Sequence, residues 1–331
     1  MRSLVAFFRA GAGMAALCVG ALWFTASAPA FAQAYPNKPV KVLVPFAPGS
    51  ATDQIGRAFG SKMSETLGQP LVIENRPGAN GMLGADAVAK APADGYTILF
   101  GTNSTNAALK SLMKKLPYDQ DTAFAPVGFM GSVALLIAVN NDFPAKTLGE
   151  LIAYAKAKPG AVTFATASTS QRISSEMFAS MAGIKMIHVP YKSGPNAMTD
   201  LIGGQVNMFT ADFAVMLPQV KAGKVRALAV TSAKRSSVVP ELPTVNEAAG
   251  LKDYELIAFF AAYAPAGTPR EAINKLNEAI NAAARSNDLA KRFSTMGLEI
   301  APGTPEGLAQ RTASEAVKWA KAIRDAGIEP E

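Results

Sequence analysis

The sequence has only one cysteine and one histidine among 331 residues, and both scarcities exclude classes of function. Cys18 lies in an apolar N-terminal segment that we predict to be removed, so no thiol would remain for disulfides or catalysis. Structural zinc sites draw on several Cys and His ligands, which His188 alone does not supply. We therefore expect no metal site.

Long apolar runs are also scarce, and the one near the N-terminus has the features of a signal peptide. Arg2 and Arg9 flank its start, Ala10–Phe24 is its apolar core, and Ala30-Phe31-Ala32 fits the small-x-small cleavage pattern. The core is about 15 residues long, whereas a membrane-spanning helix needs roughly 20. We predict a cleaved signal peptide over residues 1–32 and export of the remaining chain.

The charge is basic, with a formal net value of +7, but the lysines and arginines are scattered. Nucleic-acid binding usually concentrates basic residues in a patch or stripe. No such stripe with interleaved aromatic residues occurs, so we expect no nucleic acid as a partner.

Strand and helix patterns alternate along the rest of the chain with short turn-rich connections, which predicts an α/β fold with mostly parallel sheets. Two units share the same strand–loop–helix order. They are predicted as strand Val40–Phe46, loop Ala47–Thr52 and helix Asp53–Leu67, and as strand Val162–Thr166, loop Ala167–Gln171 and helix Arg172–Ala182.

Two long apolar strands, Phe129–Asn140 and Leu256–Ala264, bracket the middle of the chain and are predicted to cross between two lobes. We assign residues 33–137 plus 257–331 to lobe 1 and residues 138–256 to lobe 2. Such a bilobed form has a cleft, and ligands favour domain interfaces and the carboxyl ends of parallel strands.

The first loop places small, turn-prone residues at a helix N-terminus, where N–H groups and the helix dipole favour an anion. The candidate ligand contacts there are Phe46, Ala47, Pro48, Gly49, Ser50 and Asp53. Ser50 and Asp53 also have the capping-box spacing, so the alternative is that both only close the helix end. Beside an anion, Asp53 would have to bind an amine or water, or fix the loop.

The remaining candidates are polar residues that follow other predicted strands: Asn103, Ser104, Thr169, Ser170, Gln171, Arg172, Tyr191, Lys192 and Asp212. Arg172 is poorly placed for helix stability because a cation near a helix N-terminus opposes the dipole. A contact with a carboxylate would account for its position. A solvated arginine is the alternative, and a loop cap is the alternative for Asp212.

Cofactor and hydrolase motifs are absent from the sequence. Gly78, Gly81 and Gly84 are spaced three and three, whereas a dinucleotide fingerprint needs two and then three, so we expect no cofactor. No Gly-x-Ser-x-Gly elbow occurs, and a serine hydrolase triad would have to use His188. A secreted hydrolase is therefore the weaker alternative.

Seven ordered motifs resemble those of the Bug family, the extracytoplasmic solute receptors of tripartite tricarboxylate transporters. They are VPFAPGSATD, ENRPGANG, ADGYT, HVPYK, GGQVNMF, VKAGKVRALAVTS and ELPTVNEAAG. The resemblance implies a type II-like periplasmic-binding-protein fold whose cleft closes on a carboxylate held by the first loop. It implies a periplasmic, non-catalytic and monomeric receptor that delivers its ligand to integral-membrane transporter subunits. A sensor for a signalling partner would have the same sequence features.

Two departures from the family pattern concern the candidate loops. Family members often have Gly-Gly where this chain has Gly49-Ser50, and they carry glycines and a histidine where it has Ser168, Thr169 and Arg172. We infer that Arg172 contacts a second anionic group. The expected ligand is an organic acid, such as a dicarboxylate or an aromatic carboxylate.

Overall fold

The structure is a computed structural model, and it describes residues 35–330. The predicted signal peptide and Cys18 lie outside the described residues. Among those described, no helix combines the length and apolar character that crossing a membrane requires.

The described part of the chain alternates strands and helices as the sequence predicts. The strands are β1 (Val40–Val44), β2 (Leu71–Asn75), β3 (Thr97–Thr102), β4 (Phe124–Asn140), β5 (Thr163–Thr166), β6 (Ile187–Pro190), β7 (Met208–Asp212), β8 (Val225–Val230), β9 (Ile257–Pro265) and β10 (Leu298–Glu299). The α-helices are α1 (Ala51–Leu67), α2 (Met82–Ala89), α3 (Leu109–Leu112), α4 (Leu148–Ala157), α5 (Thr169–Ala182), α6 (Gly194–Ile202), α7 (Phe213–Lys221), α8 (Val245–Ala249), α9 (Arg270–Ala284), α10 (Asn287–Ser294) and α11 (Pro305–Asp325).

The strands form one curled mixed sheet in the order β2-β1-β3-β9-β4-β7-β5-β6, with β8 and β10 also paired to β4. Each end of the sheet is parallel: β1 lies between β2 and β3, and β5 lies between β6 and β7. The central strands β4 and β9 run antiparallel to their neighbours. The expectation of mostly parallel sheets therefore holds only away from the centre, where the chain passes between the two halves.

Strand β4 joins the two halves because it changes partners along its length. Its residues up to Ala134 pair with β9, and those from Leu135 onward pair with β7 and β8. We call the half with β1, β2, β3 and β9 lobe 1, and the half with β5, β6, β7 and β8 lobe 2. Within residues 35–330, strand β9 pairs only with β3 and β4. Leu256, just before β9, donates its N–H to the backbone oxygen of Thr231 in lobe 2 at 2.9 Å. The predicted residue boundaries of the lobes stay a prediction.

Helix α1 illustrates why the first predicted helix forms. Ser50 caps it by accepting the N–H of Asp53, and Gly68 ends it with a left-handed φ of 66°. The four-residue spacing of Ile55, Phe59 and Met63 places all three in the core. Phe59 stacks on Phe293 of α10 with ring centroids 5.7 Å apart.

Several element boundaries differ from the predictions. Helix α5 begins at Thr169 rather than Arg172, so part of the expected polar loop is the first helical turn. Strand β7 extends to Asp212, which the sequence placed in a following loop. Helix α9 ends at Ala284, and Ser286 begins the separate helix α10 by accepting the N–H of Leu289.

Candidate ligand-binding site

A small cavity lies between the lobes at the carboxyl ends of five strands, two from the parallel part of lobe 1 and three from the parallel part of lobe 2. Its lining comes from the segments that end or follow β1, β3, β5, β6 and β7, with two residues of β9 behind them. The cavity has a volume of about 40 Å³. A single water molecule needs at least about 10–15 Å³. The cavity therefore suits a compact solute.

Four helices begin at the wall of this cavity. The lining includes Ala51 and Thr52 at the start of α1, Ser170 in the first turn of α5, Gly194 at the start of α6, and Asp212 just before α7. The N-terminus of a helix carries a partial positive charge and N–H groups that lack intrahelical acceptors. Their convergence makes the cavity electrostatically favourable for an anion.

The first loop is held in place by the carboxylate of Asp53. This side chain is 4% exposed, and it accepts the Gly49 N–H at 3.0 Å and the Asn75 amide at 2.8 Å. It also pairs with Arg57 at 2.9 Å. Burial by itself raises the pKa of Asp53, but the bonds from Arg57, Gly49 and Asn75 hold that pKa below its ordinary value. Asp53 therefore fixes the loop, which was one of the roles left open by the sequence.

The loop geometry restricts which N–H groups a ligand can reach. Gly49 adopts a φ of +80° that favours glycine, and its N–H is already bonded to Asp53. The N–H of Ser50 donates to Ala47 O at 3.1 Å. An anion at this helix start would therefore have the N–H groups of Ala51 and Thr52 rather than those of Gly49 and Ser50.

The ENRPGANG motif supports this loop, a role that the sequence did not reveal. Asn75 donates to Phe46 O at 3.0 Å as well as to Asp53, and it accepts from Arg57 at 2.9 Å. A Cβ at Gly84 would lie 2.8 Å from Cα of Pro45, so only glycine allows α2 to approach the end of β1 so closely.

Asn103 presents a buried hydrogen-bond donor at the cavity wall. Its Oδ1 accepts the N–H of Phe259 at 3.1 Å, and the residue is fully buried. Its Nδ2 has no hydrogen-bond partner among the described residues. A buried donor left unpaired costs about 1–3 kcal/mol, so a solute in the cavity that offers an acceptor would recover that energy.

A hydrogen bond joins the lobes beside Asn103. The N–H of Ser170, in the first turn of α5, donates to Oγ of Ser104 at 3.3 Å. Both residues are buried and both line the cavity. The two lobes therefore meet at the cavity wall.

Asp212 is the acidic residue of the lining, and its environment is unusual. It is 8% exposed, and it occupies the N-cap position of α7 without a side-chain capping bond. Burial raises its pKa to about 6, while hydrogen bonds from its own N–H and from Gln171 oppose the shift. The orientation of Gln171 is fixed because its Oε1 accepts the Ala167 N–H at 2.7 Å.

Nine of the fifteen predicted contacts line the cavity, and six lie outside it. The lining ones are Phe46, Ala47, Ser50, Asn103, Ser104, Ser170, Gln171, Lys192 and Asp212. Those outside are Pro48, Gly49, Asp53, Thr169, Arg172 and Tyr191. All fifteen stay predictions as ligand contacts.

Three residues singled out from the sequence have local partners outside the cavity. Arg172 lies near Glu176, whose pKa is raised by burial and lowered by the arginine. Tyr191 donates to Asp200 at 2.8 Å. His188 shares a 2.7 Å hydrogen bond with Thr166 and stacks on Phe164 at 5.2 Å between centroids. The inferred contact of Arg172 with a second anionic group has no support in this geometry.

The fifteen predicted contacts leave out ten residues that line the cavity. They are Ala51, Thr52, Thr102, Ala167, Ser168, Ser193, Gly194, Val215, Ala258 and Phe260. Most adjoin predicted contacts, so extending each predicted loop by two residues would have found them. Val215, Ala258 and Phe260 carried no such signal, because apolar residues of a helix and a strand look like ordinary core residues.

No group of His, Cys, Asp or Glu within residues 35–330 has an arrangement that could hold a metal ion. The site therefore offers hydroxyl, amide, ammonium and carboxyl groups for hydrogen bonding.

A comparison with protein families identifies the chain. The family model described as "Tripartite tricarboxylate transporter family receptor", TctC, matches residues 55–328. The chain belongs to this family. The Bug resemblance is confirmed by BugT of Bordetella pertussis, which is 36% identical over 91% of this chain and 93% of its own length.

Two solved structures resemble this TctC-family receptor closely. The Rhodopseudomonas palustris protein Rpa4515 with adipate has a TM-score of 0.87 and 34% identity, covering 90% of this chain and 100% of its own. MatC from the same organism, with bound malate, has a TM-score of 0.83 and 32% identity, covering 87% and 100%. The receptor thus has the bilobed α/β fold of periplasmic binding proteins, as predicted, and its family is one of solute-binding receptors rather than enzymes.

Proposed function

We propose that this receptor, exported to the periplasm by a signal peptide over residues 1–32, captures a small carboxylate between its lobes. It then delivers the solute to the membrane subunits of a tripartite tricarboxylate-type transporter. The family assignment supports the receptor role. Adipate and malate in the two related structures support a carboxylate as ligand.

The observation that carries the proposal is the convergence of four helix N-termini on one cavity. Each N-terminus favours an anion. The unpaired Nδ2 of Asn103 and the ammonium of Lys192 add two donors to the same wall. A carboxylate has up to four acceptor positions on two oxygens and can use several of these donors together.

A thermal-shift screen of the purified receptor tests the proposal. The panel contains aliphatic and aromatic mono-, di- and tricarboxylates, with neutral amides of the same carbon skeletons as controls. A ligand at 100 times its dissociation constant adds about 2.7 kcal/mol to the free energy of unfolding. We expect at least one carboxylate, and none of the amides, to raise Tm. A flat response to every carboxylate would refute the assignment.

A matched pair of lysine variants locates the site. We expect Lys192→Ala to weaken carboxylate binding, because Lys192 lines the cavity. Lys185→Ala removes the same charge from an exposed position of lobe 2 outside the lining and should leave binding unchanged. Equal effects of the two substitutions in isothermal titration calorimetry would contradict the proposed site.

A further inference from the structure

The hydrogen-bonding groups of the cavity are arranged asymmetrically. Asn103 and Gln171 both have their side-chain oxygens occupied, by the N–H groups of Phe259 and Ala167. The Nδ2 of Asn103 therefore offers a solute a donor, whereas the amide of Gln171 lies beside Asp212. Lys192, the only cation in the lining among the described residues, is also a donor.

Asp212 is the exception, because within the described residues it is the only acidic group that lines the cavity. Gln171 and the N–H of Asp212 itself lie near its carboxylate and lower its pKa, against the effect of burial. A carboxylate has about four acceptor positions, so it can also accept from a solute. The carboxylate of Asp212 would repel an anionic solute, unless the solute also carries a hydrogen-bond donor that Asp212 can bind.

A purely structural role does not account for this residue. An aspartate at an N-cap position stabilises a helix by accepting an N–H from its first turn, but Asp212 makes no such bond. Burial disfavours its charged form, and the causes of its shifted pKa include no charged neighbour. Asp53 and Asp200, on the neighbouring helices α1 and α6, are engaged by Arg57 and by Tyr191. Lys192 is exposed to solvent.

We propose that Asp212 makes the receptor selective for carboxylates that also carry a hydrogen-bond donor, either a hydroxyl or an ammonium group, as in hydroxy acids and amino acids. The carboxylate of the solute contacts the helix N-termini and Asn103, and its donor group bonds to Asp212. The inference rests on the proposed capture of a carboxylate. The expected contact of Arg172 with a second anionic group stays a separate prediction.

The test compares solutes that share a carbon skeleton and differ in one group. Succinate, malate and aspartate carry hydrogen, hydroxyl and ammonium at the same carbon, and adipate and 2-aminoadipate form a longer pair. Dissociation constants are measured by isothermal titration calorimetry on the purified receptor, at a pH well above 6. We expect at least one donor-bearing acid to bind tighter than its parent by about tenfold or more, the effect of a hydrogen bond to a charged group.

The variant Asp212→Asn separates selectivity from folding. It keeps the size of the side chain and removes the charge, so the preference should fall to about threefold or less. Binding of the parent acid should stay equal or become tighter, because a negative charge has left the cavity. A residue that only stabilised the site would weaken both members of each pair together. Asp200→Asn removes a charge from lobe 2 outside the lining and should keep the preference.

The pH dependence supplies a second readout. The pKa of Asp212 is about 6, so the preference of the unmodified receptor should be full above that pH and fade below it. Asp212→Asn should show no such change. Equal binding of parent and donor-bearing acids above pH 6 would overturn the inference and leave carboxylate capture intact. No binding by any of the five acids would also overturn the inference about Asp212. The wider thermal-shift screen of carboxylates then tests the proposed function separately.

Discussion

At the scale of single residues, different side chains support the first loop and line the cavity. Asp53 and Asn75 lie behind the loop and bond to its backbone. Ser50, Ala51 and Thr52 face the cavity. The anion cradle thus depends on a buried acid that does not line the cavity, because the N–H of Gly49 needs a strong acceptor to hold the turn.

Replacing Asp53 should destabilise the fold more than replacing an exposed acid. Asp53→Asn would bring an amide donor against the donors of Gly49 and Asn75, and we expect a loss of about 1–3 kcal/mol in the free energy of unfolding. Urea denaturation measures this. Asp288→Asn, whose partner Lys62 is 3.3 Å away and whose side chain is 80% exposed, is the control and should change little.

The loss of unfolding free energy in Asp53→Asn should also depend on pH. Its folded-state pKa lies below the ordinary value of 3.8, so its stabilising contribution is present above 3.8 and is lost as the pH falls through the folded-state pKa. The difference between the unmodified receptor and Asp53→Asn should therefore narrow below pH 3.8. A difference that stays constant with falling pH would contradict this role of the carboxylate.

At the scale of elements, Thr231 joins the segments that pass between the lobes. Its Oγ1 accepts the Leu135 N–H of β4 at 2.7 Å and donates to Leu256 O, just before β9, at 2.7 Å. The residue is fully buried. One hydroxyl thereby fixes the spacing of both connections at the place where β4 changes partners.

Thr231→Val tests this junction. Valine has nearly the same shape but leaves the buried Leu135 N–H and Leu256 C=O without that partner, so we expect a loss of about 2 kcal/mol or more. The control Thr66→Val removes a hydroxyl from an exposed position of α1 and should be nearly neutral. Equal midpoints for the two variants in urea denaturation would show that the hydroxyl of Thr231 contributes nothing specific.

At the scale of the whole molecule, the lobes share both a strand and a core. One cluster of buried residues includes Val42 and Phe100 of lobe 1 together with Phe209 and Val230 of lobe 2. Strand β4 passes through both halves of the sheet. Unfolding one lobe alone would expose part of the core of the other.

We therefore predict a single cooperative unfolding transition. Trp319 is the only tryptophan outside the proposed signal peptide of residues 1–32, and it is buried in the core beside Glu315. Its fluorescence reports the surroundings of α11, whereas far-UV circular dichroism reports both lobes. The two urea midpoints should coincide, as in a two-state transition. Separated midpoints would show that the lobes unfold independently.

The sequence by itself determined the family, the alternation of strands and helices, and most loops that line the cavity. These follow from local patterns: apolar periodicity, caps such as Ser50, and polar residues that follow strands. The same local reasoning failed where α5 begins, because Ser168 and Thr169 suit a loop and a helix start equally well.

Only the tertiary structure decided which polar residues line the cavity. Ser50 caps α1 and Asp53 lies in its first turn, yet Asp53 bonds to the loop backbone and Ser50 lines the cavity. Arg172 follows Gln171 directly, yet on a helix adjacent side chains point in different directions, so only Gln171 reaches the cavity. The position of Asp212 among donors depends on segments from five strands, and their convergence is a property of the sheet order, which no local pattern encodes.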